Sequence, residues 1–171
     1  MTSAGDGDGE AVLSLGSNLP PRERWLDGGL AALVAGGATI LASSPRWHTR
    51  AVGPLPQPDF LNQVVRARGL ATPEDWLRLA QEAEAGAGRR RGVPQGPRTL
   101  DVDLLACGAL TRDTAELRLP HPAILERAFA LRGLALVAPG WRHPGTGRSY
   151  GALAAAAGLR VPPSRVAPPA P

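Results

Sequence analysis

The 171-residue chain has no lysine, one cysteine and few aromatic side chains. Arginine supplies all 19 basic side chains, a bias so general that their number says little about binding partners. The single cysteine, Cys107, excludes an internal disulfide bond and is typical of proteins from a reducing compartment. Aromatic residues make up only 4% of the chain, so few rings are available to fill a core or to stack on a ligand.

Extended apolar stretches are also absent. No run of about 18 apolar residues occurs, so the sequence predicts no transmembrane helix. Residues 1–10 are small and acidic and have neither the basic nor the apolar region of a signal peptide. Together with the single cysteine, these features lead us to expect a cytoplasmic protein that does not associate with membranes.

The remaining composition indicates one globular domain. Hydrophobic residues make up 43% and charged residues 20% of the chain, and its length suits a single core. We expect one domain over residues 11–160, with flexible tails at residues 1–10 and 161–171. The net charge of +4 fits a phosphate-bearing ligand at least as well as nucleic acid.

Hydrophobic periodicity and turn signals predict four strands and three helices. The strands are expected at residues 11–15, 38–49, 60–70 and 99–106. The helices are expected between Pro20 and Gly36, from Thr72 to Gly86 or Gly88, and over residues 122–137. This order is typical of an α+β, ferredoxin-like βαββαβ sandwich, here with an additional C-terminal helix.

Two aspartates interrupt the last predicted strand. Asp101 and Asp103 point to one face, about 7 Å apart, while Leu100, Val102 and Leu104 point to the core. Two like charges at this spacing repel unless a cation lies between them, and hard oxygen ligands suit Mg²⁺ that bridges substrate phosphates. The alternative is a solvent-exposed strand face with two unrelated acids, and this short motif alone does not decide between them.

An arginine-rich loop precedes the same strand. Residues 88–92 read Gly-Arg-Arg-Arg-Gly, and guanidinium groups such as those of Arg89 and Arg91 match the geometry of phosphate oxygens. Arg98, directly before the strand, is close enough in sequence to reach the same site. The alternative is a solvated run of charge.

Other candidate residues lie around these two motifs. His121 stands at the predicted start of the last helix, where it either binds an anion or acts as an N-cap or packing residue, and Arg127 either reaches the site or is solvated. Phe60 and Phe129 either sandwich a flat heterocycle or fill the core, and the amide of Asn62 could read the edge of such a ring. As a set, these residues favour phosphoryl or pyrophosphoryl transfer over a structural role.

Two alternatives come from other functional classes. A ferredoxin-like RNA-binding domain needs exposed aromatic residues on its sheet, whereas residues 99–106 contain none and carry two acids. A regulatory nucleotide- or metal-binding domain would keep the fold without turnover. The presence of both aspartates, the loop arginines and Arg98 disfavours that alternative.

Four segments, in this order, resemble the 6-hydroxymethyl-7,8-dihydropterin pyrophosphokinase family of folate biosynthesis. They are LSLGSNL at residues 13–19, PDFLNQVV at 58–65, GPRTLDVDLL at 96–105 and LPHPAILERAF at 119–129. The resemblance extends over residues 12–139. It implies an enzyme that transfers diphosphate from ATP, its co-substrate, to the hydroxymethyl group of the pterin and releases AMP, with two Mg²⁺ ions as cofactors. It implies small-molecule substrates and no nucleic acid, membrane or obligate protein partner.

The resemblance also implies a role for each site residue. The catalytic set would be Arg89, Arg91, Arg98, Asp101 and Asp103, with both aspartates binding metal. The ATP-binding set would be Gln81, Glu84, Arg91, Arg98, Leu104, His121 and Arg127. The pterin-binding set would be Thr49, Val52, Phe60, Asn62 and Phe129, with the two phenyl rings stacking on opposite faces of the pterin. Residues 16–18 and the proline-rich loop at 53–58 would line the rest. Gln95 stands where a tryptophan is common in the family.

Overall fold

An antiparallel sheet forms the centre of the computed structural model, which describes residues 9–88 and 95–162. Its strands are β1 (Glu10–Ser17), β2 (Thr39–Ser43), β3 (Trp47–Thr49), β4 (Phe60–Arg68) and β5 (Asp101–Ala106). The spatial order is β2-β4-β1-β5, and β3 pairs with β4 beyond the end of β2. Strands β1 and β4 are the inner pair and each is flanked on both sides.

Four helices of the described residues cover the two faces of the sheet. Helices α1 (Arg22–Ala35) and α2 (Pro73–Gly86) pack on one face, and α3 (Ala128–Val137) and α4 (Tyr150–Ala156) pack on the other. A short ribbon of β6 (Arg112–Asp113) and β7 (Arg118–Leu119) follows β5. None of these helices has the length and apolar character needed to cross a membrane. The fold is therefore a mixed α/β arrangement around an antiparallel sheet.

The alternation of side chains along each strand divides the core into two clusters. On the α1/α2 face, Leu13 and Leu15 of β1 pack with Val102 and Leu104 of β5, and Trp76 of α2 lies in the same cluster. All five side chains are buried to 94% or more. As predicted, the residues that alternate with Asp101 and Asp103 face this core.

The second cluster lies between the sheet and helices α3 and α4. Val12, Val64 and Leu105 come from the strands, and Leu134 and the fully buried Tyr150 come from the helices. This cluster covers only part of the second face. The ends of β1, β4 and β5 that carry Gly16, Asn62 and the two aspartates lie outside it.

The predicted start of the second helix is confirmed. The side chain of Thr72 accepts a hydrogen bond from the backbone of Asp75, and the carboxylate of Asp75 accepts one from the backbone of Thr72. This reciprocal pair is a capping box, and Pro73 stands at the start of the helix. Local sequence alone determines this helix start.

The predicted strand over residues 38–49 is two strands. Pro45 lacks a backbone donor and separates β2 from β3, while the hydroxyl of Ser44 accepts a hydrogen bond from the backbone of Val64 at 2.9 Å. The side chain of Ser44 thus replaces part of the ladder that the proline interrupts.

The predicted helix over residues 122–137 begins only at Ala128. Before it, the backbone N–H of His121 donates to the carbonyl of Leu105 at 2.8 Å, which holds this segment against the end of β5. Residues 122–126 form turns, and the side chain of Ile124 in this segment is fully buried. Helix α4, capped by the side chain of Ser149, was not predicted, so two helices rather than one follow β5.

Candidate active site

The strand register places candidate residues from three strands next to one another on one face of the sheet. Gly16 of β1 lies opposite Asn62 of β4 on one side and opposite Asp101 of β5 on the other. Ser14, two residues earlier, lies opposite Asp103. Because directly opposed residues point to the same face, the acids and the amide of Asn62 share the face on which α3 packs.

Each aspartate has an arginine partner. Arg98 Nη1 donates to Asp101 Oδ2 at 2.8 Å, and Arg127 Nη1 donates to Asp103 Oδ2 at 3.3 Å. The Asp101 and Asp103 side chains are only 19% and 31% exposed. The resemblance assigned both arginines to nucleotide binding, and the structure places them beside the acids that it assigned to metal.

Burial and mutual repulsion both act on the acid pair. Burial and then the charge of Asp101 raise the pKa of Asp103 above its ordinary value, although His121, Arg127 and Arg98 act in the opposite direction. A divalent cation would remove the repulsion that raises this pKa. The described residues contain no group of three or more His, Cys, Asp and Glu side chains suited to a metal. Among the described residues, Asp101 and Asp103 are therefore a pair of carboxylates and not a complete set of metal ligands.

His121 lies near the acid pair, although not at a helix start as predicted. Burial lowers its pKa below the ordinary value for histidine, so the imidazole is neutral at neutral pH. Its Nδ1 accepts a hydrogen bond from the backbone of Ala123 at 3.2 Å. The proton of the neutral ring is therefore on Nε2, which makes that atom a hydrogen-bond donor.

A cleft of about 390 Å³ opens beside Asp103 and His121. Its walls include Leu104, as well as Leu77, Val102, Pro122 and residues 115–118. Leu104 also belongs to the core between the sheet and helices α1 and α2, and it gives the cleft an apolar wall. A second groove, of about 460 Å³, lies between α1 and α2 and includes none of the predicted site residues.

Glu84 and Gln81 lie on α2. Glu84 Oε1 accepts a hydrogen bond from the backbone N–H of Val102 at 2.8 Å, which fixes α2 to β5 between the two aspartates. Gln81 is exposed, one turn earlier on the helix. Arg89 and Arg91 lie outside the described residues.

The other half of the candidate site is built around Asn62. Its Nδ2 donates to Thr49 Oγ1 at 2.6 Å, and its side chain is almost completely buried. A Cβ on Gly16 would come within 2.7 Å of Asn62 Oδ1 and 3.5 Å of a Phe60 ring carbon. Gly16 is therefore glycine because the amide of Asn62 occupies the space that a side chain would need.

The remaining predicted pterin contacts are partly or largely accessible. Phe60 begins β4 and is half-buried, and Phe129, in the first turn of α3, is also half-buried and packs against the second core cluster. Val52 is 80% exposed, in the segment between β3 and β4. Both phenyl rings thus keep an accessible surface.

Sequence reasoning assigned no individual role to Asn18. This residue, at the end of β1, is fully buried and forms hydrogen bonds to three other residues. A polar side chain directly after an apolar strand is the available signal, although the sequence Gly16-Ser17-Asn18 is also typical of a turn.

Known proteins are similar to this chain over the region that contains the candidate residues. The family model for 7,8-dihydro-6-hydroxymethylpterin-pyrophosphokinase (HPPK) matches residues 12–139. A 2-amino-4-hydroxy-6-hydroxymethyldihydropteridine pyrophosphokinase from Synechocystis sp. is 40% identical over 141 residues, which cover 81% of this chain and 71% of the relative. The protein of that name from Mycobacterium tuberculosis is 44% identical over 130 residues, covering 70% and 68%. That from Bacillus subtilis is 38% identical over 126 residues, covering 73% and 75%.

Solved structures share the fold of this chain. The wild-type HPPK-DHPS of Plasmodium falciparum with SDX-DHP superimposes with a TM-score of 0.62 at 12% identity, over 86% of this chain and 44% of that one. An HPPK-DHPS in complex with substrates gives a TM-score of 0.65 at 12% identity, over 89% and 44%. This chain spans less than half of those longer proteins. The family match and the curated relatives together show that the chain belongs to the 7,8-dihydro-6-hydroxymethylpterin-pyrophosphokinase family.

Proposed function

We propose that this protein transfers diphosphate from ATP to the hydroxymethyl group of 6-hydroxymethyl-7,8-dihydropterin and releases AMP, as a step of folate biosynthesis. Its family and the names of its relatives are those of a pyrophosphokinase. One structural observation supports the proposal most strongly. The arginine-paired acids, Asn62 and Phe60 lie on the same face of the sheet, with only Gly16 between Asp101 and Asn62.

Asp101 and Asp103 would hold Mg²⁺, and we propose two ions. The donor chemistry fits, because two carboxylates with few other protein ligands suit a hard cation that also binds phosphate oxygens. When bound, Mg²⁺ would neutralise the negative charge of the ATP phosphates and orient them. The raised pKa of Asp103 is consistent with a site whose charge balance is completed only by a cation.

The arginines would change partners when substrate binds. In the structure, Arg98 and Arg127 form ion pairs with the aspartates. Once the carboxylates bind metal, both guanidinium groups are available for phosphate oxygens, which they match in geometry. Arg98 is the less exposed of the two, at 28% against 48%, so its interaction is less screened by water. We assign Arg98 a catalytic role with Arg89 and Arg91, which stabilise charge as AMP departs.

The nucleotide would occupy the cleft beside Asp103. Leu104 contributes an apolar wall, His121 a neutral Nε2–H donor, and Arg127 a positive charge. Gln81, Glu84, Arg91 and Arg98 complete the proposed ATP-binding set. The cleft volume of about 390 Å³ is within the usual range for small-molecule sites.

The pterin would bind against Asn62. Phe60 and Phe129 would stack on its two faces, and Thr49, Asn62 and the backbone near Val52 would bind its edge. The hydrogen bond from Asn62 Nδ2 to Thr49 Oγ1 fixes the plane of the amide before substrate arrives. No covalent nucleophile is required, because the hydroxymethyl oxygen attacks the β-phosphorus directly and catalysis depends on positioning and charge neutralisation.

We also propose that the fold is ferredoxin-like. The antiparallel order β2-β4-β1-β5, with a helix between β1 and β2 and another between β4 and β5, supports a ferredoxin-like assignment. We propose a single domain over residues 11–160. The reduced, buried thiol of Cys107 is consistent with a cytoplasmic location. Small-molecule substrates are the proposed partners.

The test is to supply the protein with Mg²⁺-ATP and 6-hydroxymethyl-7,8-dihydropterin and to identify the nucleotide product by chromatography. We expect AMP that forms only when pterin is present. Asp101→Ala and Asp103→Ala should abolish it. Asp27→Ala, which removes an exposed acid from α1 on the opposite face of the sheet, should not.

Each of the other possible outcomes refutes a distinct part of the proposal. ADP in place of AMP would mean transfer of a single phosphoryl group. AMP that is independent of pterin would mean hydrolysis rather than transfer. Retained Mg²⁺-ATP binding without any product would favour a nucleotide-binding domain that lacks turnover.

A further inference from the structure

Asn18 extends the pairing of β1 with β5 beyond the last strand residues. Its backbone N–H donates to the carbonyl of Arg98 at 3.2 Å, and its side-chain Oδ1 accepts from the backbone N–H of Arg98 at 2.8 Å. The last regular pair of this ladder is Gly16 with Asp101. The amide side chain of Asn18 therefore acts as an additional peptide group, which positions the backbone of Arg98.

The same amide also holds the segment that leads into β4. Asn18 Nδ2 donates to Gln57 Oε1 at 2.8 Å and to the carbonyl of Pro58 at 3.0 Å. Gln57 Nε2 in turn donates to the carbonyl of Gln95 at 2.7 Å. Both N–H donors and the carbonyl of the Asn18 amide are thus used, and the residue has no exposed surface.

These contacts join the two halves of the site. Arg98 pairs with Asp101 in the half assigned to phosphate and metal. Pro58 lies two residues before Phe60, in the half assigned to the pterin. The side chain of Asn18 hydrogen-bonds to both segments from below the surface on which substrates would meet.

We propose that Asn18 is a positioning residue for diphosphate transfer, an inference that rests on the proposed function. It fixes the distance between the Arg98 segment and the Gln57–Pro58 segment, so that the pterin hydroxymethyl group meets the β-phosphorus in line. Asn18 is fully buried, and within the described residues its side chain bonds to Gln57, Pro58 and Arg98. Its loss should therefore affect turnover more than binding, because each half keeps its own ligand contacts.

Two variants break the network from different sides. Asn18→Asp keeps an oxygen for the Arg98 N–H but removes both donors to Gln57 and Pro58. Gln57→Leu keeps Asn18 and its pair with Arg98, and removes the bonds that Gln57 makes. Gln57 is only partly buried, so this second variant tests the inference even if Asn18→Asp does not fold.

Ser44→Ala is the matched control. Ser44 is also buried, at 3% exposure, and its hydroxyl accepts from the backbone of Val64 at 2.9 Å and donates to the carbonyl of Pro45 at 2.7 Å. The substitution therefore removes one buried and one partly buried hydrogen bond outside the proposed site. It measures what a purely structural loss of this kind does to turnover.

The experiment measures kcat for AMP formation, calorimetric Kd values for 6-hydroxymethylpterin and for Mg²⁺ with a non-hydrolysable ATP analogue, and urea unfolding of each variant. Because a misplacement of about 1 Å lowers rates by roughly 10²-fold, we expect kcat to fall by about that factor in both network variants. Both Kd values should change by less than about threefold, a small free-energy difference. Ser44→Ala should lose comparable stability while keeping kcat within about twofold of the parent.

The inference is wrong if both network variants keep the parental kcat, or if Ser44→Ala loses as much. It is also wrong if kcat is unchanged and the Kd values alone increase, since Asn18 would then support binding. Absence of AMP formation by the unsubstituted protein would instead refute the proposed function. The two failures are therefore distinguishable.

Discussion

Substitution of Gly16 by alanine tests the geometry of the proposed pterin site. The added methyl group would lie 2.7 Å from Asn62 Oδ1 and 3.5 Å from a ring carbon of Phe60. An ordinary contact begins near 3.4 Å, so the amide must withdraw by about 0.7 Å. Asn62 already bonds to Thr49 at 2.6 Å, so it can move only by disturbing that bond as well.

The size of the effect follows from overpacking. An extra methyl group in a tightly packed position typically costs about 1–3 kcal/mol. If Asn62 must return to its original position to bind the pterin, this strain appears in the binding free energy. Since about 1.4 kcal/mol is a factor of ten, Kd for the pterin should rise by roughly 5- to 150-fold. The nearest atoms to the new methyl group belong to Asn62 and Phe60, so nucleotide affinity should change little.

Calorimetric titration of Gly16→Ala with 6-hydroxymethylpterin, in the presence of Mg²⁺ and a non-hydrolysable ATP analogue, measures this effect. Gly28→Ala is the control, because a Cβ at that exposed position of α1 meets nothing within 4 Å. The control should bind as the parent does and gain up to about 1 kcal/mol of stability from helix propensity. A pterin Kd within about twofold of the parent for Gly16→Ala, a negligible free-energy change, would refute the proposed position of the pterin beside Asn62.

Three further predictions concern stability and reactivity. Gly133→Ala would place a methyl group 2.3 Å from a Val64 methyl carbon, so urea unfolding should show a loss of about 1–3 kcal/mol or more, and unchanged stability would contradict the packing of α3 on β4. The pKa of Asp103 is raised in the folded protein, so ionisation of this side chain destabilises the fold as pH rises through that pKa. Asp103→Asn should therefore increase the free energy of unfolding, relative to the parent, more at neutral pH than near pH 3. An equal increase at both pH values would contradict this. Burial raises the pKa of Cys107 to about 12, so a thiol reagent at about pH 8 should label it only after unfolding in urea, whereas rapid native labelling would mean an accessible thiolate.

Local sequence signals determined much of the fold. Alternation predicted β5 and the common face of Asp101 and Asp103, because strand periodicity depends only on neighbouring residues. The start of α2 was equally clear, since the capping box of Thr72 and Asp75 forms within one turn. The order of the main elements up to β5 followed from such signals, apart from the break at Pro45.

The arrangement of the candidate site depended on contacts between distant residues. Asp103 pairs with Arg127, 24 residues later, and Asn18 bonds to Arg98, 80 residues later. The helix that follows the site begins at Ala128 rather than Pro122, and the backbone of His121 is bound to Leu105 near the end of β5. No local pattern predicts such partners, since they are set by strand order and by packing across the sheet. The sequence alone therefore indicated the chemistry of the site, and only the tertiary structure decided which groups meet.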